Sequence, residues 1–168
     1  LEANGFAPIK LTGPDTDLAF SQETEKSLLE RPDQFRYIIY SGGESKVMRQ
    51  TLINIFNMRI DKLPSKISAV LEKSAVKTTK NLKGEVCRVF MITGAGAEGL
   101  SLRSVRTVHI LEPYWNKVRT DQVKGRAVRI CSHSDLPYNA DPALNERTVE
   151  IFSYLSSFSP DMIKDRKI

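Results

Sequence analysis

The feature that most constrains the fold of this chain is the alternation of short apolar β-type runs with helical patterns. Runs rich in β-branched and aromatic residues occupy residues 36–40, 86–93, 107–111 and 148–155. Helical periodicity occurs between them at residues 44–57 and 117–130, with a shorter amphipathic stretch at 65–73. In the first of these helices the predicted buried face contains Val47, Leu52, Ile53 and Phe56. Because parallel strands need crossover connections, the alternation predicts an α/β fold with a mainly parallel sheet and helices on both faces.

Length and composition limit the number of domains and the class of protein to which the chain can belong. The 168 residues fit one domain, and the net charge of +5 favours a polyanionic partner. Two cysteines are too few for a disulfide framework or a cysteine metal site, so we expect buried free thiols and a reducing compartment. No apolar run approaches the length of a membrane span. The chain begins at Leu1 rather than methionine, and we expect it to be a piece of a longer polypeptide.

The domain organisation follows from the same patterns. Residues 1–34 are weakly patterned and are interpreted as a lead-in, whereas residues 35–168 form the main domain. The Lys- and Ser-rich segment 58–85 has the composition of a helical insertion between two core elements. Its lysines are equally compatible with phosphate contacts and with a solvated surface: Lys62, Lys66, Lys73, Lys77, Lys80 and Lys83.

A glycine-rich segment, Thr93-Gly-Ala-Gly-Ala-Glu-Gly-Leu-Ser-Leu102, follows the most apolar predicted strand. Its glycines fit the dinucleotide pattern G-x-G-x-x-G, and Glu112 stands where that pattern places an acidic residue. Only residues 100–106 precede the next strand, which is too short for a crossover helix and argues against a nicotinamide-dependent oxidoreductase. Backbone N–H groups at the carboxyl end of a strand can hold phosphates instead.

The second informative stretch is Gln122-Val-Lys-Gly-Arg-Ala-Val-Arg129. Arginines three residues apart share one face of a helix, so Arg126 and Arg129 are predicted to reach one target together. Gly125 allows a close approach to the backbone just before them. Two guanidinium groups suit the charge that develops on a transferring phosphoryl group, although a basic, solvated helix is the alternative.

Together, these two segments resemble motifs V and VI of superfamily 2 helicases and translocases, and residues 37–43 resemble motif IV. The resemblance implies a second RecA-like domain, a three-layer α/β sandwich. It implies that Arg129 is an arginine finger, that Arg126 lies beside it on the γ-phosphate side and that Gln122 is a positioning residue. The resemblance also implies that the nucleotide is contacted by Gly99, Ser101 and Gly125. It implies that the nucleic-acid backbone is contacted by Thr93, Gly94 and Ser41.

The chain has no G-x-x-x-x-G-K-[ST] phosphate loop and no Asp-Glu-x-x metal motif. Without these residues it lacks the groups that cradle the β- and γ-phosphates and hold Mg²⁺. We therefore expect ATP and Mg²⁺ to be held mainly by an upstream first RecA-like domain that is absent from this chain. The isolated domain is expected to be inactive.

Residues 111–133 show a narrower likeness. They resemble helicase-like ATPases of nucleocytoplasmic large DNA viruses, a group that includes the pox early transcription factor subunit, viral nucleoside triphosphatase I, and asfarvirus and mimivirus helicases. The resemblance implies a DNA or RNA partner, contact with viral transcription machinery, and a location in the virion or the cytoplasmic viral factory. The alternative is a non-catalytic DNA-binding or assembly module of a viral transcription factor.

Two histidines need separate interpretation. His109 lies within an apolar run and is predicted to be a hydrogen-bonded core residue rather than a ligand. His133 is predicted to lie in a loop, where no neighbouring residue suggests a metal site.

Overall fold

The computed structural model describes residues 1–93, 100–111, 117–129 and 131–157, without the side chains of Lys117 and Arg119. The strands in these residues are β1 (Ala7–Pro8), β2 (Leu11–Thr12), β3 (Ala19–Phe20), β4 (Arg36–Tyr40), β5 (Val89–Ile92), β6 (Thr107–Leu111) and β7 (Glu150–Tyr154). The α-helices are α1 (Gln22–Glu30), α2 (Lys46–Phe56), α3 (Ser65–Lys73) and α4 (Lys117–Ala127). Short 3-10 turns lie at Glu2–Asn4 and Ile60–Lys62.

Most strand pairing is parallel. β1, β4 and β5 form a three-stranded parallel sheet with β4 in the centre, and β6 pairs with β7 in a second parallel sheet. Only the short β2–β3 ribbon is antiparallel. The predicted α/β architecture with mainly parallel strands, as in RecA-like domains, is confirmed.

Serine caps determine where two of the helices begin. The Ser21 hydroxyl accepts a hydrogen bond from Thr24 N at 3.3 Å, and the Ser45 hydroxyl accepts one from Met48 N at 3.0 Å. Each serine satisfies an amide of the first turn that has no partner within the helix. Helix α2 therefore begins at Lys46, two residues after the start that periodicity predicts.

The core lies between the three-stranded sheet and helices α1 to α3. The sheet and each of the three helices contribute a fully buried side chain: Ile38 from β4, Leu28 from α1, Ile55 from α2 and Ile67 from α3. Helix α3, which belongs to the segment interpreted as an insertion, packs against α1 and β3 and buries Ile67 and Leu71. This segment therefore contributes to the core of the domain.

Arg36 is a fully buried charge at the start of β4. Its Nε donates to the Ser27 hydroxyl at 2.8 Å, and its Nη2 donates to the carbonyl oxygens of Ser27 and Arg31. Burial lowers the pKa of this guanidinium. The hydrogen bonds tie the end of α1 to the central strand and offset the cost of burying this charge.

Three predictions about burial are wrong. Residues 86–93 are only partly a buried strand, since β5 begins at Val89 and Met91 is 42% exposed. Val47, which periodicity assigned to the buried face of α2, is 45% exposed. Cys87 is buried as predicted, but Cys131 is exposed. A hydrophobic pattern identifies the apolar face of an element, and it does not say whether another element covers that face.

His109 is also placed differently from the prediction. Its side chain is exposed on β6, where Nδ1 lies 2.8 Å from the Tyr154 hydroxyl and the ring stacks on Phe152. Both aromatic partners belong to β7, so this contact joins the two strands of the second sheet. Within the described residues, no helix has the length and apolar character needed to cross a membrane.

Candidate functional site

Strands β4 and β5 end side by side, at the edge where open α/β sheets bind ligands. Tyr40 is in register with Ile92, and the Thr93 amide continues the ladder by donating to the Tyr40 carbonyl at 3.1 Å. Ser41 and Thr93 therefore follow neighbouring strands at one edge of the sheet. These are two of the three residues predicted to contact nucleic acid, and the third, Gly94, lies outside the described residues.

Ser41 and Thr93 differ in how firmly they are held. The Ser41 amide and hydroxyl both donate to Glu44 Oε2 at 3.0 Å, which fixes the turn between β4 and α2. Thr93 has an exposed side chain. The edge thus offers one constrained hydroxyl and one accessible hydroxyl.

The carboxyl-terminal end of the glycine segment is anchored by a residue that sequence reasoning missed. Asn57, at the end of α2, donates from Nδ2 to the Ser101 carbonyl at 2.8 Å, and its Oδ1 accepts from the Arg103 amide at 2.8 Å. Leu100 and Leu102 are buried on either side, whereas Ser101 is exposed. The predicted nucleotide contact Ser101 is therefore held in place by its backbone, while Gly99 lies outside the described residues.

Helix α4 carries the predicted phosphate-binding residues. Gln122 is exposed, and Lys124 forms an ion pair with Asp121 at 3.6 Å. Gly125 is helical, its φ is not positive, and a Cβ placed there would meet no atom within 4 Å. Glycine in a helix costs about 0.5–1 kcal/mol relative to alanine, and packing within the described residues gives no reason for it.

The two arginines do not share one helical face, contrary to the prediction. α4 ends at Ala127, so Arg126 lies in the last turn and Arg129 lies beyond the helix. The Arg129 amide donates to the Ser132 hydroxyl at 3.3 Å instead of to a helical carbonyl. The serine side chain competes successfully for this amide and ends the helix.

Arg126 and Arg129 have no ion-pair partner within the described part of the chain. Arg126 Nε is buried without a hydrogen-bond partner there, whereas the side chain of Arg129 is exposed. Lys124, on the same helix, is neutralised by Asp121. Two arginines three residues apart in sequence, without carboxylate partners in the described part of the chain, provide positive charge for an anionic group that approaches this end of α4.

The turn after Arg129 contains a hydrogen-bonded pair that was not predicted. Cys131 adopts the left-handed conformation (φ 63°), and the side chains of Ser132 and His133 that follow it are buried. Ser132 Oγ lies 2.7 Å from His133 Nδ1, and His133 Nε2 lies 2.6 Å from the Val105 carbonyl oxygen. A histidine in a polar loop gives no sequence signal for such a contact, because its partner is a backbone atom distant in sequence.

Exposed ion pairs brace the loop that returns to β7. Arg106 Nη1 lies 2.9 Å from Glu146, and Lys80 Nζ lies 3.0 Å from Asp135. A hydrogen bond from each cation lowers the pKa of its carboxyl partner. Of the lysines at 62–83, Lys66 also forms an ion pair, 2.6 Å from Asp17. The part of the chain that the structure describes contains no cluster of three metal-ligating side chains.

Comparisons with known proteins identify the family of this chain. The profile described as helicase conserved C-terminal domain matches residues 15–131. The termination factor NPH-I homolog of African swine fever virus (isolate Tick/South Africa/Pretoriuskop Pr4/1996) is 41% identical over 112 residues, which are 67% of this chain and 14% of that protein. No solved structure matches the chain.

Two proteins of Acanthamoeba polyphaga mimivirus are also similar. The putative ATP-dependent RNA helicase R350 is 43% identical over 82 residues, 49% of this chain and 9% of that protein. The putative ATP-dependent RNA helicase R563 is 31% identical over 121 residues, 72% of this chain and 17% of that protein. The chain therefore spans a small part of each relative. With the family profile matching more than half of its length, this chain belongs to the helicase conserved C-terminal domain family.

Proposed function

We propose that this chain is the second half of the motor of a nucleic-acid-dependent ATPase, a helicase or translocase. The observation that carries the proposal is the pair of arginines at the end of α4, which have no ion-pair partner within the described residues. Family membership and relatives named as ATP-dependent helicases support it. Arg129 acts as the arginine finger, and Arg126 adds charge on the γ-phosphate side.

ATP and Mg²⁺ are held mainly by a first RecA-like domain. The present chain supplies positive charge when the cleft between the two domains closes. An arginine finger of this kind raises kcat for hydrolysis about 10³- to 10⁵-fold. Gln122 positions the nucleotide, Gly125 admits it close to the helix backbone, and Ser101 and Gly99 approach it from the glycine segment. The isolated chain turns over no ATP, because it lacks a phosphate loop.

Nucleic acid contacts the sheet edge at Ser41 and Thr93, and the sequence adds Gly94, which lies outside the described residues. The exposed Thr93 side chain and the backbone beside it suit phosphate oxygens, which carry no sequence information. Binding is therefore sequence-independent and weakens as salt rises, in keeping with the net charge of +5. Opening and closing of the cleft couples ATP turnover to movement along the strand.

The test is nucleic-acid-stimulated ATP hydrolysis by the intact polypeptide that contains this chain and a first domain. Arg129→Ala should lower kcat by about 10³-fold or more, with nucleic-acid affinity nearly unchanged. Arg31→Ala is the matched control, because it removes an exposed guanidinium that follows α1. Equal loss of turnover and of nucleic-acid affinity in Arg129→Ala would reject the arginine-finger role.

A second candidate is a DNA-binding or assembly module within a viral transcription machinery, where ATP turnover is incidental. The relative named as a termination factor favours it. Under this alternative, neither the wild type nor Arg129→Ala would hydrolyse ATP in the presence of nucleic acid, although both would bind it. In either case, the chain acts in an infected cell, in the virion or in the cytoplasmic viral factory.

A further inference from the structure

We propose that Ser132 and His133 are positioning residues for Arg129. The proposal rests on the function proposed above, in which Arg129 is the arginine finger. Neither residue would touch the nucleotide. They would act through the backbone of Arg129, whose location sets where the guanidinium can reach.

Ser132 holds the backbone of Arg129 on both sides of its Cα. The Arg129 amide donates to the Ser132 hydroxyl at 3.3 Å, and the Ser132 amide donates to the Arg129 carbonyl at 3.1 Å. Ser132 Oγ also lies 2.8 Å from that carbonyl oxygen. Arg129 has left α4, so these bonds replace the helical ladder as the support for its main chain.

His133 connects this turn to a distant part of the chain. The Val105 carbonyl oxygen can only accept, so His133 Nε2 donates to it across 2.6 Å. In the neutral ring Nδ1 then accepts from the Ser132 hydroxyl, 2.7 Å away. The Ser132 hydroxyl has one hydrogen, so it donates either to His133 Nδ1 or to the Arg129 carbonyl, 2.8 Å away. With that hydrogen donated to Nδ1, the hydrogen bonds run from the Arg129 amide through Ser132 and His133 to Val105.

The far end of this chain of hydrogen bonds is itself anchored. The Ser104 amide donates to the Ser132 carbonyl at 2.9 Å, beside the contact to Val105. Just before Ser104 in the chain, the backbones of Ser101 and Arg103 are held by the Asn57 side chain. Arg129 is thereby tied to the same stretch of backbone that includes Ser101, the described candidate nucleotide contact.

Burial argues against an ordinary surface turn. Ser132 and His133 are each 8% exposed, although Cys131 before them and Ser134 after them are exposed. Cys131 adopts a left-handed conformation that non-glycine residues rarely take. This strain in an exposed residue is offset by the contacts that Ser132 and His133 make.

The chain offers a matched pair of serines for the test. Ser132→Ala removes the hydroxyl that contacts Arg129, whereas Ser134→Ala removes a hydroxyl of the same turn that donates only to the Cys131 carbonyl at 3.0 Å. Both would be made in the intact polypeptide, with kcat, KM for ATP, nucleic-acid affinity and melting temperature measured. Ser132→Thr, which keeps the hydroxyl, is the rescue variant.

We expect Ser132→Ala to lower kcat by about tenfold to a hundredfold, since a displacement of about 1 Å costs that much in a positioned site. KM for ATP and the affinity for nucleic acid should each differ by no more than about twofold between Ser132→Ala and the control Ser134→Ala. Ser132→Thr should recover most of the rate. If Ser132→Ala does not fold, His133→Gln is the alternative variant. It keeps a donor towards Val105 but loses the contact with Ser132, and it should show the same fall in kcat.

A double-mutant cycle separates the two proposals. If Ser132 acts through Arg129, adding Ser132→Ala to Arg129→Ala should lower kcat no further. Turnover of Ser132→Ala equal to that of Ser134→Ala, or an undiminished effect in the Arg129→Ala background, would overturn the positioning role and leave the arginine finger standing. Wild-type turnover in Arg129→Ala would overturn the arginine-finger role on which this inference rests, and no nucleic-acid-stimulated turnover in the wild type would overturn the proposed function itself.

Discussion

The two parallel sheets of this domain are built from similar apolar sequences but are stabilised differently. In the β1–β4–β5 sheet, Ile38 is fully buried beneath helices α1 to α3. In the β6–β7 sheet, Phe152 and Tyr154 are 44% and 46% exposed, and hydrogen bonds and ring stacking join the strands. The first region contains the buried core cluster, whereas α4 and the arginines lie between β6 and β7 in sequence.

This difference has a consequence for motion. Regions with few buried apolar contacts open at lower free energy than a packed core does. An arginine finger that must meet a nucleotide on another domain belongs on such a region, provided that its immediate surroundings are ordered. The hydrogen bonds of Ser132 and His133 supply that local order without a large apolar core.

The largest expected effect on the free energy of unfolding is seen by comparing substitutions of one isoleucine in each sheet. Ile38→Ala, in the centre of β4, should lower the free energy of unfolding by about 3 kcal/mol or more, because it leaves a cavity in a fully buried site. Ile151→Ala, on β7 where the side chain is 38% exposed, should cost about 1 kcal/mol or less. Urea unfolding followed by circular dichroism measures both, and equal losses would break the distinction between the two sheets.

A smaller effect of opposite sign is expected at Gly125. Replacing it with alanine should raise the free energy of unfolding by about 0.5–1 kcal/mol, since the new methyl group meets no atom within 4 Å. If nucleotide approaches the backbone there, the same change should lower ATP turnover in the intact polypeptide. A variant that gained stability and kept full turnover would remove Gly125 from the site.

The smallest effect concerns pH. The hydrogen bond from Arg106 lowers the pKa of Glu146, so its contribution to stability is present above the ordinary glutamate value of 4.5 and is lost as pH falls through the lower folded value. Glu146→Gln should therefore make unfolding slightly less sensitive to acid. A carboxyl titration by NMR checks the direction, and a Glu146 pKa at or above 4.5 would contradict the ion pair.

Local pattern was sufficient to predict many of the elements. Helix α3 and strand β6 begin and end where periodicity places them, and β7 and α2 lie within two residues of their predicted bounds at each end. The C-terminal end of α4 was missed, because it depends on whether the Ser132 hydroxyl or a helical carbonyl takes the Arg129 amide. That competition is decided by tertiary contacts of His133, which a local pattern does not contain.

The candidate site was predictable only in part. Residue types and spacing identified the arginines, Gln122 and the glycine segment, of which residues 94–99 lie outside the described part of the chain. The supporting residues Asn57, Ser132 and His133 were not identified, because each contacts backbone atoms whose location is set by the fold. Their roles in the site remain predictions, as do those of the arginines.

The most direct test of the central claim is the affinity of the intact polypeptide for ADP and for ADP with aluminium fluoride, in the wild type and in Arg129→Ala. An arginine that acts on the transferring phosphoryl group stabilises the transition-state analogue and not the product. We expect Arg129→Ala to bind ADP as the wild type does and to lose most of the extra affinity for the analogue. Unchanged affinity for the analogue would contradict the claim that this domain completes an ATPase site.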